Sequence, residues 1–397
     1  MTRGSFAGFH RPDGRVGVRN LVAVVPISAT ASPIARQLAD DGPELVRATP
    51  HQLPLHPPEP AREQLERVLV GIARNPNVAG TLFVGLGTET TDIESLADGA
   101  ARSDKPVETL TLHDAGGVEA ALDRGEELLE PLVRTARESS RSPASMAELI
   151  VGLECGGSDA TSGLASNPVV GRACDRLVEA GGTGVISETP EFIGAEDILA
   201  DRCVDEDVRE RLLAAVERRE RMADLMGVDF RGAQPSPGNQ EGGLTTIEEK
   251  SLGAIAKGGT TPLRDVIRYG DQLSVGGGFV VMDTPGYDVE SVTGKAAGGA
   301  QIVVFTTGRG STTGNPIAPV IKVTGNPETA TRMTDNMDVD ASSVIAGDAV
   351  EDVGDTLFET IRAVADGRPT AAERFGLSEF AINDIPTNEI AAMGAPR

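Results

Sequence analysis

The chain has 397 residues, with 60 acidic side chains against 36 Lys and Arg and a net charge of −24 at neutral pH. Such an acidic excess disfavours nucleic acid and anionic membranes as partners, and 3% aromatic content without tryptophan leaves little for stacking on bases. Three cysteines, Cys155, Cys174 and Cys203, give neither a disulfide framework nor a CxxC metal pair. No leader-like apolar segment opens the chain and no apolar run reaches membrane length, so a cytoplasmic protein is expected. The length predicts two domains rather than one core. The lysines are few (Lys105, Lys250, Lys257, Lys295 and Lys322), and together with the acid excess they read as the composition of a salt-adapted protein.

An Arg- and Gly-rich turn over 11–20 precedes a buried-strand run at 21–27, which leads into a short helix ending near Asp40. A helix pattern covers 60–75, a strand 80–86, a helix 91–102, a strand 107–112 and a long charged helix 116–140. The Ser-rich stretch 139–145 reads as a linker. Beyond it the alternation resumes, with strand 148–153, helix 168–180, strand 183–187 and helical patterns over 191–201 and 205–226. A Pro/Gly loop at 234–243 opens onto a helix at 246–257. Strands are expected at 278–282, 301–306, 317–323 and 343–346, before a closing helix at 351–366. Strands alternating with helices predict an α/β fold, two Rossmann-like domains with mostly parallel sheets flanked by helices, divided as 1–143 and 144–397.

Polar, Gly-bearing turns follow the strands that end near 154, 188, 283 and 307. Ligands of doubly wound sheets bind at such strand ends. The richest turn is Glu154-Cys155-Gly156-Gly157-Ser158-Asp159-Ala160-Thr161-Ser162-Gly163, which sets a thiol, a carboxylate and hydroxyls among backbone amides. It reads equally as an anion site or as a tight strand-to-helix turn capped by Ser and Asp. Asp159 is a base, a ligand or a cap, and Cys155 a metal ligand, a reactive thiol or a buried small residue. Glu188 and Glu191 form a carboxylate pair for metal or proton transfer, or simply acids favoured at a helix start. Arg309, next to Thr307 in a Gly/Thr loop, is a candidate carboxylate clamp. Lys250 and Lys322 are candidate anion contacts or an enolising base, with Lys257 nearby in sequence. The four histidines (His10, His51, His56 and His113) lack metal spacing and read as structural or solvated. No Walker A loop and no GxGxxG after the first strand is present, which argues against nucleotide and NAD binding.

The chain resembles the catalytic part of the altronate and galactarate dehydratase family, which also includes sulfolactate sulfo-lyase large subunits. The resemblance rests on Asp13-Gly14-Arg15-Val16-Gly17-Val18-Arg19-Asn20, the turn at 154–163, Pro235-Ser236-Pro237-Gly238-Asn239, the segment 242–253, Asp283-Thr284-Pro285-Gly286 and Phe305-Thr306-Thr307-Gly308-Arg309-Gly310. It implies a dehydratase acting on a sugar acid through an enolate, with Fe(2+) or another divalent metal and a separate small subunit. On that reading Asp159, Lys250 and Lys322 are the catalytic candidates. Ser158, Thr161, Ser162, Asn239, Thr307 and Arg309 would bind substrate, and Cys155 and Glu188 would hold the metal. Relatives often carry further cysteines where this chain has 26–30, 51–55, 85–89 and Ala254. Their loss leaves Cys155 alone, so either oxygen ligands hold the metal or another reaction has replaced the elimination. Hydrolysis of a carbon–carbon bond in a 2,4-diketo-3-deoxy sugar acid is the alternative, and sulfolactate cleavage the third. A non-catalytic sugar-acid binder is the reading outside enzymology.

Overall fold

The computed structural model describes residues 4–383 apart from 226 and 228. Two parallel sheets carry the fold. The first has the spatial order Val46–Ala48, Leu21–Pro26, Val78–Gly85, Val107–Thr111. The second runs Leu263–Arg268, Gly278–Asp283, Thr183–Ile186, Ile150–Cys155, Ile302–Thr306, Val320–Thr324, Val339–Asp340. Helices cover both sheets, as the continuous apolar runs require. Val78–Gly85 and Ile150–Cys155 are buried at every position, which is how strands covered on both faces read. The α/β expectation with parallel sheets flanked by helices is therefore met.

The helices bury single stripes. Glu59–Arg74 hides Ala61, Leu65, Val68, Leu69 and Ile72 at helical spacing. That stripe faces the helix Asp288–Ala297 through a shared core of Val68, Leu69, Ile72, Val292 and Ala296. Amides fasten the two sheets to each other. Asn75 Nδ2 donates to the Ala296 and Ala300 carbonyls, and Asn77 Nδ2 to those of Gln301 and Ile317.

Three local expectations are corrected. The stretch 139–145 is not a free linker, because Ser142–Ser145 pairs antiparallel with Ser5–His10. That first strand, with Phe6 and Gly8 turned inward, supplies a partner that a local reading of 139–145 cannot reveal. No strand forms at 343–346. Ser342–Val344 is a 3₁₀ turn, and the edge position goes to the two-residue strand Val339–Asp340 beside Val323 and Thr324. The helical pattern at 191–201 is split into a 3₁₀ turn, Thr189–Phe192, and a short helix, Glu196–Ala200, by Gly194 at φ 91°. The strands Val46–Ala48 and Leu263–Arg268 were not foreseen, since each mixes charged with apolar residues at a sheet edge. The helix expected over 205–226 is Glu206–Leu225, its last expected residue lying outside the described set.

Chain order in the large sheet sets the site. From the central strand Ile150–Cys155 the chain moves to one side through Thr183–Ile186, reaches the edge with Leu263–Arg268 and comes back inward with Gly278–Asp283. It returns to the other side with Ile302–Thr306. The strand order thus reverses between Ile150–Cys155 and Ile302–Thr306, where α/β sheets open a crevice at their C-terminal edge.

Candidate active site at the sheet's C-terminal edge

Two loops meet at that reversal. Gly156 N donates to the Thr306 carbonyl at 3.0 Å, and Gly308 N and Arg309 N both donate to the Gly157 carbonyl. Gly157 has φ 61°, a left-handed turn that a side chain would strain. Asp159 then organises the turn. Its Oδ1 accepts from Thr161 Oγ1 at 2.6 Å and Ser162 N at 3.0 Å, and its Oδ2 from Asn326 Nδ2 at 2.8 Å. Asn239 Nδ2 donates to the Ser158 carbonyl at 2.9 Å, and Thr307 Oγ1 accepts from Gly310 N at 3.0 Å. Arg309 is half exposed and donates to the Gly238 carbonyl and to Glu241. Ser158, Asp159, Thr161, Ser162, Asn239, Thr307 and Arg309 thus form one assembly. Beside it lies a cleft of about 530 Å³ walled by Ser158, Asp159, Ser162, Thr246, Glu249 and Lys250.

Beneath the turn is a buried ionic cluster. Cys155 Sγ lies 2.6 Å from Lys257 Nζ, which donates to it, and its thiol donates to Glu191 Oε2 at 2.9 Å. Lys257 Nζ is also 3.1 Å from Glu188 Oε2. Glu191 Oε1 pairs with Lys250 at 3.2 Å. Glu188 stands at φ 65°, a left-handed conformation unusual for a residue with a Cβ and a common sign of a functional position. The end of the strand Thr183–Ile186 is bent there so that the carboxylate turns under Cys155. The Glu188 backbone N–H, donating to Thr284 Oγ1 at 2.8 Å, holds the bend. A second layer continues inward. Lys295 contacts Glu154 and Ser187, and Ser291 Oγ donates to Glu154 Oε2 at 2.8 Å.

Burial governs the proton affinities. It pushes the Cys155 thiol well up, with Glu191 adding to the effect and Lys257 opposing it. Burial, then the Glu154 and Glu191 carboxylates, push Glu188 up. For Glu191 burial acts in the same sense, yet Lys250 and Lys257 hold it below the usual carboxylate range. Asp288, at the start of Asp288–Ala297, is pushed up to about 7 by burial and by Glu154.

Cys155, Glu188 and Glu191 bring one ligand atom each within 4.8 Å of one another, and so do Glu154, Glu188 and Asp288. Either group could hold a metal ion by its donor chemistry, the first through a soft thiolate and two carboxylates. In the folded chain, however, Lys257 Nζ lies among the three atoms of the first group, and Lys295 bonds Glu154 of the second. The residues as arranged do not fit an additional cation.

The remaining candidates sort by position. Lys250 joins the cleft to the cluster, and it also lines a second cleft with Glu191, Gln234 and Tyr287. Lys322 stands apart. Among the described residues its Nζ is buried without a hydrogen-bond partner, and Asp338 and Glu379 are its charged neighbours. His51 is a structural histidine, as expected, with Nε2 3.0 Å from the Pro26 carbonyl and Nδ1 accepting from Leu53 N. Sequence reasoning gave no role to Lys257 or Glu154, although it noted the first near the motif loops and the second at the head of the turn, and it passed over Lys295 and Asp288. One signal was available, since in a chain this poor in lysine the few that remain deserve individual explanation.

A crevice at a strand-order reversal, walled by a hydroxyl-rich turn and a lysine, is where α/β enzymes bind their ligands. The chain belongs to the D-galactarate/altronate dehydratase family, matching the C-terminal family model over residues 146–387 and the second-domain model over 8–137. It is 38% identical over 392 residues to the (2R)-sulfolactate sulfo-lyase subunit beta of Chromohalobacter salexigens, covering 96% of this chain and 97% of that one. It is 32% identical to the altronate dehydratase of Escherichia coli, over 94% of this chain and 76% of the relative. The Escherichia coli galactarate dehydratase (L-threo-forming) matches at 39%, over 78% of this chain and 61% of its own length. These relatives are named as dehydratases and as a sulfo-lyase subunit. Among the described residues no helix is long and apolar enough to cross a membrane.

Proposed function

We propose that the chain is the large subunit of a lyase that removes the β-substituent of a 2-hydroxy acid, with a sugar acid losing water as the leading case. Membership of the dehydratase family supports the reaction class. A relative named as a subunit beta supports a separate small subunit. The observation that carries the residue assignment is the Lys250–Glu191 pair: Lys250 lines the cleft beside the Ser158–Ser162 turn, and both residues line the second cleft that adjoins it at Lys250.

Lys250 receives the substrate carboxylate and stabilises the negative charge that grows on it as the α-proton leaves. Glu191, kept ionised by two ammonium groups, accepts that proton. The C–H electron pair becomes the new double bond, the β-hydroxyl departs with its own pair and takes up the proton held by Glu191 to leave as water, and the enol that remains tautomerises to the 2-keto-3-deoxy acid. Ser158, Thr161, Ser162, Asn239, Thr307 and Arg309 offer hydroxyl, amide and guanidinium groups to the polyol chain. Asp159, whose two oxygens are taken by Thr161, Ser162 and Asn326, serves by holding this turn in shape. A divalent ion finds no place in the Cys155–Glu188–Glu191 group as it is arranged around Lys257. None of the steps above depends on one.

The test is product analysis with the small subunit present. Altronate or galactarate should yield a 2-keto-3-deoxy acid, or (2R)-sulfolactate should yield sulfite. Cleavage of a carbon–carbon bond in a 2,4-diketo-3-deoxy acid, without turnover of the others, would overturn the assignment in favour of a hydrolase. Lys250→Met should raise KM by roughly 10²-fold, the worth of one charge-assisted contact of about 3 kcal/mol.

A further inference from the structure

We infer that the Lys257 side chain is the resident cation of the Cys155–Glu188–Glu191 group, so that this site takes no divalent metal. The inference builds on the proposed lyase site but concerns what fills its floor. Lys257 Nζ lies 2.6 Å from Cys155 Sγ, 3.1 Å from Glu188 Oε2 and 3.7 Å from Glu191 Oε2. An ion bonded to those same atoms at the ~2.0–2.3 Å of metal–oxygen and metal–sulfur bonds would overlap Nζ.

The lysine has nowhere to withdraw to. Its side chain is 1% exposed and is among the largest fully buried ones in the protein. Its backbone lies in the 3₁₀ turn Ala256–Gly258 at the end of the helix Ile247–Ile255. Gly258 is packed so closely on the Phe279 ring that even a Cβ there would overlap it. Moving Nζ out would mean carrying a charge through a close-packed core.

The same device occurs one layer deeper. The second acidic group, Glu154 with Glu188 and Asp288, has Lys295 on Glu154, with Nζ also donating to the Leu153 carbonyl at 3.1 Å. Two acidic groups able to hold metal are each met by a lysine, in a chain that has few. Lys257 does not reach the cleft. It acts as a positioning residue, orienting Glu191 through the Cys155 thiol and its own charge.

Cobalt(II) is the probe, because a thiolate bound to it gives an intense near-ultraviolet charge-transfer band. The full chain, assembled with its small subunit and stripped with chelator, is titrated with Co²⁺ by absorbance and equilibrium dialysis. The inference expects no stoichiometric uptake and no sulfur band in the wild type. Lys257→Met should acquire one equivalent together with the band, and Lys257→Met/Cys155→Ser should lose the band. One equivalent of Co²⁺ with a sulfur band in the unmodified protein would overturn the inference, and so would a folded Lys257→Met that binds none. If Lys257→Met does not fold, Lys257→Gln serves in its place, and the wild-type titration decides on its own. No substrate enters the measurement, so it can fail while the lyase assignment stands, and the reverse also holds.

Discussion

Lys322 carries an amine into the protein interior and meets no hydrogen-bond partner there among the described residues. Burial drives its pKa down to about 8, against the pull of Asp338 and Glu379. Below pH 8 both folded and unfolded chains hold the proton, and the folded state bears the full cost of hiding the charge. Between pH 8 and about 10.5 the unfolded chain binds more protons, so stability rises with pH. Lys322→Met should therefore raise stability at pH 7 by on the order of 3 kcal/mol, and the gain should shrink towards pH 10. Urea denaturation of both proteins at the two pH values measures this, and an equal gain at both would mean that the amine is not the cause. Residues were legible in the sequence where chemistry and position coincide, as for Cys155 and Glu188 at the ends of apolar runs. Lys257 and Lys295 were not, because their neighbours are about 100 and 140 residues away in sequence. Only the folded sheet brings Cys155 and Glu154 to them.

The strand-end turns explain why so much of the site could be read as a pattern and so little as geometry. Their glycines are easily found, but what each glycine makes room for is not. At Gly308 a Cβ would overlap the Asp159 carboxylate, and at Gly156 one would overlap Asp288. Gly308→Ala is thus expected to expel Asp159 from its bonds to Thr161, Ser162 and Asn326. Turnover should fall by at least ~100-fold, as misplacement near 1 Å commonly costs. The circular dichroism spectrum should be unchanged, because no strand is touched, and retained activity would separate Asp159 from the site. The central strands were equally legible, since Ile150–Cys155 and Ile302–Thr306 are continuous apolar runs. The short edge strands were not, because Val339–Asp340 is specified by the neighbour it pairs with and not by its own two residues.

At the scale of the whole molecule, charge dominates. A net −24 spread over one chain repels itself, and screening should relieve that repulsion. The thermal midpoint is expected to climb between ~0.1 M and ~1 M KCl, where the Debye length shortens from about 10 to 3 Å. A midpoint indifferent to salt would mean that self-repulsion costs this fold little. The buried Lys257 and Lys295 contacts lie beyond the reach of added ions, so Co²⁺ exclusion should be the same at both salt concentrations.

The placement of the lysines has one more consequence. Lys105, Lys257, Lys295 and Lys322 are buried, and Lys250 keeps only 17% of its side chain exposed. The folded surface therefore offers amine-directed reagents almost nothing to react with. An N-hydroxysuccinimide ester should leave the lysines of the native chain nearly unmodified, yet acylate every one of them in urea, and mass spectrometry of the peptides would count the difference. Acylation thus becomes a clock for opening of the core. Substrate bound against Lys250 should slow its first tick, and heavy labelling of the native protein would refute the burial on which that clock depends.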